Sequence, residues 1–169
     1  DISWFPKDTT LLEFVGPLVF GSLLAAALAL LFATPVAVGI GLFISHYAPR
    51  RLANGLGYVV DLLAAIPSVV YGLWGGLVLS PAVLPVWQFL ASAFGWLPFF
   101  SGEVSPTGRV MLTVAIVLAV MILPIITAVC REVFLQTPRL HEEAALALGA
   151  TRWEMVRTAV LPFARSGII

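Results

Sequence analysis

Side chains that could catalyse a reaction or hold a metal are few in this sequence and poorly spaced for either task. His46 and His141 are far apart, with no carboxylate or cysteine at ligand spacing. Cys130 is the single cysteine, which excludes an internal disulfide. A Gly-x-x-x-x-Gly-Lys-Ser/Thr phosphate loop is missing, as are the Ser–Lys and paired-Asp arrangements of an intramembrane hydrolase. The sequence therefore predicts no catalytic residue, cofactor or metal, and places any ATP hydrolysis on another chain.

The clearest local pattern is a polar segment that begins near residue 137. Thr137-Pro138 is typical of a helix start, because Thr is a preferred N-cap and Pro suits the first helical position. Gly149 stands where a helix commonly ends on a residue with positive φ. The apolar residues that share one helical face between these points are Leu140, Ala144 and Leu148.

A second short helix is predicted directly after this glycine. Thr151 and Glu154 have the Ser/Thr-x-x-Glu spacing of a capping box, in which each residue satisfies a backbone N–H of the other. The predicted apolar stripe of this helix consists of Trp153, Val156 and Val160. Residues 137–162 thus indicate a helix, a tight glycine turn and another helix.

These residues resemble the EAA loop of ABC-importer permeases. The matching positions are Glu143, Ala144, Ala145, Gly149, Leu161 and Pro162. The resemblance implies a cytoplasmic loop over 137–162, whose short helix docks into a groove on an ATPase subunit and passes its movement to the membrane helices. The family usually has Ile where this chain has Ala159, a loss of packing volume. The alternative is a soluble DNA-binding helix-turn-helix, which would need a basic recognition surface.

The composition is that of a membrane protein. Of the 169 residues, 60% are hydrophobic and 11% are charged, and the mean hydropathy is +1.04, whereas soluble domains average about 25% charged residues. Basic and acidic residues cancel, so no nucleic-acid partner is implied. We therefore expect an all-α polytopic membrane protein, with membrane lipid as a partner. The chain begins with Asp and ends inside an apolar run, so we expect a domain truncated at both ends.

Apolar runs divide the chain, which we interpret as a single transmembrane domain over 1–169, into spans. The complete runs are as long as the roughly 20 residues that a helix needs to cross the hydrocarbon core. The predicted spans are 15–47, 56–79, 110–130 and the start of a fourth from about 159. The proline- and aromatic-rich segment 80–109 is predicted to be an outer loop that lies at the membrane interface or re-enters shallowly.

Basic residues lie mostly on one side of these spans. Only Lys7 and Arg109 fall on the opposite side. Because short cytoplasmic loops are enriched in Lys and Arg, this asymmetry predicts a cytoplasmic EAA segment. The residues on that side are Arg50, Arg51, Arg131, Arg139, Arg152, Arg157 and Arg165.

Pro67 interrupts the second predicted span beside two hydroxyl side chains. Such breaks are tolerated where they are buried in protein or line a wet cavity. The segment 63–75 closely resembles the phosphate-specific (Pst) permeases, which favours Pro67, Ser68, Tyr71 and Gly72 as part of the substrate path. Hydroxyls and freed backbone amides there could replace some of phosphate's water. The alternative is a kinked packing helix in which Ser68 bonds its own backbone.

Asp61, in the same predicted span, has two interpretations. It could lie in the first turns of the span, where the helix dipole favours an acid. It could instead contact the coupling loop, since acids within membrane segments are often functional.

Over nearly its full length the chain resembles the C-type permease subunits of Pst importers, which have the MetI-like ABC-importer fold. The resemblance implies import of inorganic phosphate across the bacterial inner (plasma) membrane. It also implies three kinds of partner: a second homologous permease subunit, two ATP-binding subunits, and a periplasmic or lipid-anchored phosphate-binding protein. One alternative is a permease for sulfate, molybdate or an amino acid. Another is a membrane scaffold or sensor that holds a cytoplasmic partner without transport.

Overall fold

The computed structural model describes residues 11–94, 96 and 105–168, and the regular structure in those ranges is entirely helical. Lys7 and the loop residues 97–104 lie outside this described part. The α-helices are α1 Leu11–Leu42, α2 Arg50–Ala64, α3 Ser68–Trp74, α4 Ser80–Phe94, α5 Met111–Leu135, α6 Arg139–Ala147, α7 Arg152–Met155 and α8 Leu161–Ile168. Wider, π-helical turns occupy Phe43–Tyr47, Gly75–Leu79 and Val156–Val160. The predicted all-α class is confirmed.

Within the described residues, three stretches of helix are long and apolar enough to cross a membrane. They are Leu11–Tyr47, Ser68–Phe94 and Met111–Leu135. The first and third largely coincide with the predicted spans 15–47 and 110–130. Most side chains of Leu11–Tyr47 are exposed in this chain, as expected of a helix that faces lipid or another subunit, whereas those of Met111–Leu135 are mostly buried or half-buried.

The middle stretch differs from the predicted span 56–79. The helix that begins at Arg50 ends at Ala64, and a new helix begins at Ser68. The cause is Pro67, which lacks an N–H for the helical ladder and disfavours helical backbone at the residue before it. The interruption at Pro67 agrees with the sequence, but the bounds differ: α2 is a separate helix, and the apolar stretch extends from Ser68 to Phe94.

The predicted outer loop 80–109 is helical as far as Phe94. Pro81 follows the π-helical turn Gly75–Leu79, which accommodates the proline within a continuing helix, and Pro85 lies further along the same helix. Counting prolines placed the end of the span too early, because helices in a membrane accommodate them by local adjustment.

Each π-helical turn in the described residues ends two residues before a proline. The proline ring would clash with the carbonyl four residues earlier, and the wider turn relieves that clash. The helix continues beyond Pro81 and Pro162, whereas at Pro49 it ends. The N–H groups that donate five residues back are Ala48 to Phe43, Ser80 to Gly75 and Leu161 to Val156.

One compact unit comprises residues 1–31 and 72–119. In it, the Trp87 indole N–H donates to Thr113 Oγ1 over 2.8 Å, and the Thr113 hydroxyl donates to the Gly108 carbonyl over 2.8 Å. Gly108 has φ 69°, and a Cβ there would collide with the carbonyl of Ser80. These contacts join the start of α5 to α4.

The other compact unit comprises residues 32–71 and 120–169 and contains the EAA-like segment. Its core is formed by the C-terminal ends of α1 and α5 and by the continuous helix from α7 into α8. Gly41 permits close packing there, since a Cβ would lie 3.1 Å from that of Cys130. The buried core residues are Leu42, Cys130, Phe134, Met155, Val156, Val160 and Ala164.

Candidate coupling site

The first helix of the EAA-like segment, α6, begins one residue later than predicted. Pro138 occupies the N-cap position with extended backbone, φ −62° and ψ 126°. Thr137 was predicted to cap the helix, but its buried hydroxyl has no hydrogen-bond partner in the described part of the chain. The N-cap prediction is therefore wrong, because inserting Pro138 moves the threonine out of reach of the first-turn N–H groups.

The end of α6 is a Schellman turn closed by Gly149, whose φ is 88° as the sequence predicted. The Gly149 N–H donates to the Leu146 carbonyl over 3.0 Å, and the Ala150 N–H donates to the Ala145 carbonyl over 3.2 Å. This pair of bonds satisfies carbonyls that the helix end would otherwise leave unpaired. The turn is consequently fixed by its own backbone.

The predicted capping box at the start of α7 is confirmed. The Thr151 N–H and hydroxyl donate to Glu154 Oε2 over 2.7 and 2.8 Å, and the Glu154 N–H donates to Thr151 Oγ1 over 3.3 Å. The backbone N–H of Thr151, followed by its hydroxyl, lowers the pKa of the Glu154 carboxyl, because both stabilise the charged form. Only Ala150 separates the Gly149 turn from this cap, so α6 and α7 are connected by a short, defined elbow.

The helix that starts at Arg152 runs without interruption through the π-helical turn to Ile168. Leu161 and Pro162 therefore lie within a helix rather than at its start, and a fourth span beginning near residue 159 would be the continuation of this helix. Leu161 packs against the buried core, whereas Pro162 is exposed.

The predicted apolar stripe of this second helix is only partly buried. Val156 and Val160 are completely buried, but Trp153 is 56% exposed. Met155 is buried in its place. The widened turn at Val156–Val160 changes the helical period, so a face counted at regular spacing does not persist through it.

The two faces of α6 have different surroundings. Ala145 packs against the core, and Glu142 is also partly buried. The opposite face is apolar yet open: Leu140 is 76% exposed and Leu148 is 90% exposed. The exposed residues of this outer face, named here the α6 outer face, are Leu140, Glu143, Ala144, Ala147 and Leu148.

His46, at the end of α1, holds the inner face of α6. Its Nε2 lies 3.4 Å from Glu142 Oε1, and its Nδ1 lies 2.7 Å from Ser45 Oγ. The ring packs edge-on against Phe134 with centroids 6.5 Å apart, and the side chain is 9% exposed. Sequence reasoning missed this contact, because the two residues are 96 positions apart and no local pattern connects them.

Asp61 pairs with Arg131 at the end of α5, with 3.7 Å between Oδ2 and Nη1. Asp61 lies in the last turn of α2, so the prediction of an acid near a helix N-terminus is wrong. Gly57 makes room for the arginine, since a Cβ there would collide with the guanidinium. Asp61 thus contacts the end of a span, three residues before α2 ends at Ala64.

Two open clefts lie in this unit. The larger, named here the arginine cleft, has a volume of about 520 Å³, and the smaller, of about 250 Å³, includes His46 and Glu142. The arginine cleft is lined by Ile44, Ser45, Ala48, Arg50, Ala53, Asn54, Tyr58, Asp61, Arg131, Leu135 and Arg139. No group of three metal-ligating side chains occurs among the described residues.

The four residues predicted to belong to the substrate path surround the break between α2 and α3. The Tyr71 hydroxyl donates to the Leu63 carbonyl over 3.0 Å and so satisfies part of the end of α2. Pro67, Ser68 and Gly72 are exposed, and none of the four lines either cleft described above. The break itself was predicted, but the backbone contact of Tyr71 gives this hydroxyl a structural role.

The elbow, the broken helices and the long apolar stretches are consistent with an importer permease, and comparison with known proteins shows the family. Residues 37–169 match the family described as "binding-protein-dependent transport system inner membrane component", and the chain belongs to that family. The predicted membership in the importer permeases is thereby confirmed. The chain is a multi-pass membrane protein of this class.

Three individual proteins illustrate how similar this chain is to its relatives. The chain is 55% identical over 148 residues to "phosphate transport system permease protein PstC 2" of Mycobacterium tuberculosis, which covers 86% of this chain and 46% of the relative. It is 52% identical to PstC of Mycobacterium leprae and 42% identical to PstC of Xylella fastidiosa, covering 87% and 89% of this chain and 47% and 48% of those relatives. The chain thus spans about half the length of these proteins. No solved structure matches it.

Proposed function

We propose that this chain belongs to a permease subunit that imports inorganic phosphate across the inner membrane, driven by ATP hydrolysis on separate subunits. The observation that carries the coupling role is the α6 outer face, which is apolar, exposed and mounted on a fixed elbow. Leu140 and Leu148 expose a surface that a folded cytoplasmic partner would cover. In this proposal the partner is the ATPase subunit, as in the family resemblance.

The elbow explains how a push on α6 would reach the membrane helices. The Schellman turn and the capping box fix α6 relative to α7 through short backbone bonds. Beyond them, Val156 and Val160 are completely buried in the core that includes Leu42 of α1 and Phe134 of α5. Because close-packed cores transmit displacement instead of absorbing it, movement of α6 would shift the ends of both helices.

Two ATP-binding subunits would supply that movement when they bind and hydrolyse nucleotide. A ligand can drive a change of state only through unequal affinity for the two states. ATP-driven closure of the ATPase pair would therefore favour the arrangement of the permease in which the path opens outward. A second homologous permease subunit would complete the path, and a phosphate-binding protein would deliver the substrate.

The distribution of arginines supports a cytoplasmic position for the elbow. Arg131, Arg139, Arg152 and Arg157 all occur between the end of α5 and the start of α8. Arg50 lies in the same compact unit, at the start of α2. Short loops rich in arginine remain on the cytoplasmic side during insertion.

The names of the relatives support phosphate as the substrate, together with the polar break at Pro67. Breaks of this kind free backbone groups that can bind an anion. Tyr71 already donates its hydroxyl to Leu63, so Ser68 is the better candidate of the two hydroxyls for contact with the substrate. Sulfate, molybdate and amino-acid transport remain the alternatives within the class.

The proposal is tested in proteoliposomes that contain the full-length permease pair, the ATPase subunits and the binding protein. Phosphate labelled with ³²P should accumulate only with ATP, and excess unlabelled phosphate should compete where sulfate, molybdate and amino acids do not. Competition by one of those solutes in place of phosphate would overturn the substrate assignment. ATP-dependent partner binding without any solute accumulation would instead support a scaffold or sensor.

A further inference from the structure

The arginine cleft has no role in the proposed transport mechanism. Its walls bring together side chains from the ends of several helices: Arg50 of α2, Arg131 of α5 and Arg139, the first residue of α6. Asp61 is the one acidic residue in the lining, so two positive charges are in excess. A cleft of this charge and a volume of about 520 Å³ suits an anionic group of small-molecule size.

Arg131 is already neutralised, whereas the other two arginines are not. Its guanidinium pairs with Asp61 over 3.7 Å. In the described part of the chain, neither Arg50 nor Arg139 forms an ion pair. These two guanidinium groups are therefore the ones that remain for an outside anion.

Two helix starts add to the positive potential of the cleft. Arg50 and Arg139 are the first residues of α2 and α6, and both helices follow a proline that provides no side-chain cap. The first N–H groups of a helix have no partner within the helix, and they attract anions. Arginine and helix start thus favour the same charge at each position.

The apolar part of the lining indicates that the anion is a lipid headgroup and not a free ion. Ile44 lies in the π-helical turn that closes the first long apolar stretch, and Leu135 ends the third. Tyr58, which is largely exposed, also lines the cleft, and tyrosines are enriched where a membrane meets water. A cleft with arginines and an apolar wall at the ends of membrane-crossing helices can contact both the phosphate and the acyl chains of a lipid.

We propose that the arginine cleft binds the phosphate headgroup of an anionic phospholipid, with Arg50 and Arg139 as its principal contacts. A bound lipid would link α2 to α6 and so stabilise the elbow against the end of α5. The inference does not depend on which solute is transported, so failure of phosphate uptake in the reconstituted importer would leave it intact.

The test uses the purified full-length permease in detergent and native mass spectrometry. The probes are cardiolipin, phosphatidylglycerol, zwitterionic phosphatidylethanolamine and inorganic phosphate. The double variant Arg50→Gln/Arg139→Gln should bind cardiolipin at least about tenfold more weakly, since each basic residue near a lipid headgroup contributes severalfold in affinity. Phosphatidylethanolamine binding should not change.

The matched control is Arg157→Gln/Arg165→Gln, which removes the same charge from residues that do not line the cleft. If cardiolipin binding weakens equally in both double variants, the effect is due to net charge alone and the proposed site is wrong. Inorganic phosphate that binds as tightly as cardiolipin would overturn the lipid assignment in favour of a free anion.

A second variant should change the cardiolipin affinity in the opposite direction, so the proposal can still be tested if the first variant misfolds. Asp61→Asn removes the one carboxylate of the lining and releases Arg131, so it should tighten cardiolipin binding severalfold. Unchanged cardiolipin affinity in Asp61→Asn would contradict the proposal, even if the arginine variants did not fold.

Discussion

His46 and Glu142 connect the end of the first long helix to the inner face of α6, with 3.4 Å between Nε2 and Oε1. The histidine side chain is 9% exposed and the glutamate 24%. The contact is thus partly shielded from water, where a charge-assisted hydrogen bond is stronger than on an open surface. It fixes α6 at a point separate from the apolar core.

A double-mutant cycle measures this link. His46→Ala and Glu142→Ala should each lower the thermal unfolding temperature of the detergent-solubilised protein, and the coupling free energy should be about 0.5–1 kcal/mol. Glu142→Gln is the conservative control, because its amide oxygen can still accept the bond. Strictly additive effects of the two alanine substitutions would show that the pair contributes nothing.

Gly149→Val should uncouple ATP hydrolysis from uptake. The glycine has φ 88°, and an added Cβ would meet no atom within 4 Å, so the penalty comes from the backbone alone. A β-branched residue in this region costs on the order of 1–2 kcal/mol, which would loosen the elbow. Substrate-stimulated ATPase activity of the reconstituted complex should fall, whereas Gly149→Asn, which tolerates positive φ, should retain most of it. Normal stimulation in Gly149→Val would refute the coupling role.

The parts of the elbow that the sequence predicted are those determined by neighbouring residues. The turn at Gly149 and the box of Thr151 and Glu154 each depend on groups within a few positions, so their spacing alone was sufficient. The links from His46 to Glu142 and from Asp61 to Arg131 were not predicted. They join residues far apart in the chain and depend on how the helix ends pack, which no local pattern encodes.

Prolines explain the main errors in the predicted helices. Pro67 separates α2 from α3, yet Pro81 and Pro162 follow wider turns and lie within continuing helices. The residue type does not decide the outcome: Pro85 lies inside α4 with no such turn directly before it, and at Pro49 the helix ends although a π-helical turn precedes it. Packing around the proline decides that, so counting prolines could not separate a break from a tolerated kink.

Thr151→Ala should destabilise the elbow by about 1 kcal/mol, the usual contribution of a threonine N-cap. Thr151→Ser is the control that keeps the hydroxyl, and thermal unfolding of the two variants measures the difference.

The stabilising effect of the capping box should also depend on pH. The pKa of Glu154 is lowered in the folded protein, so its stabilising effect is complete above the ordinary glutamate pKa of about 4.3 and is lost as the pH falls from there through the lowered value. Unfolding temperatures measured from pH 7 to pH 3 should decline less steeply in Glu154→Gln than in the parent protein. Parallel pH curves would contradict this assignment.

Gly57→Ala should displace Arg131 from Asp61. The new Cβ would collide with the guanidinium, which lies over this buried glycine. Gly55→Ala is a matched control two positions earlier in the same helix, where a Cβ meets nothing within 4 Å, and it should be neutral or stabilising by about 0.5–1 kcal/mol. The expected result is a lower unfolding temperature for Gly57→Ala only. If Asp61→Asn lowers the unfolding temperature by the same amount, and Gly57→Ala/Asp61→Asn lowers it no further, the ion pair is the cause. Equal unfolding temperatures of Gly57→Ala and Gly55→Ala would contradict the prediction.

Leu148→Asp tests whether the α6 outer face binds a partner, without disturbing the fold. Leu148 is 90% exposed, so the substitution should change stability by no more than about 0.5 kcal/mol. If this face docks an ATPase subunit, the same substitution should lower the affinity for that subunit by at least about tenfold, as truncation of a central interface residue does. Leu52→Asp, at a 46% exposed leucine of α2, is the control and should leave the affinity unchanged. Co-purification of the ATPase with Leu148→Asp at parental yield would exclude this face as the docking surface, because a buried, unpaired carboxylate could not be accommodated there without a measurable loss.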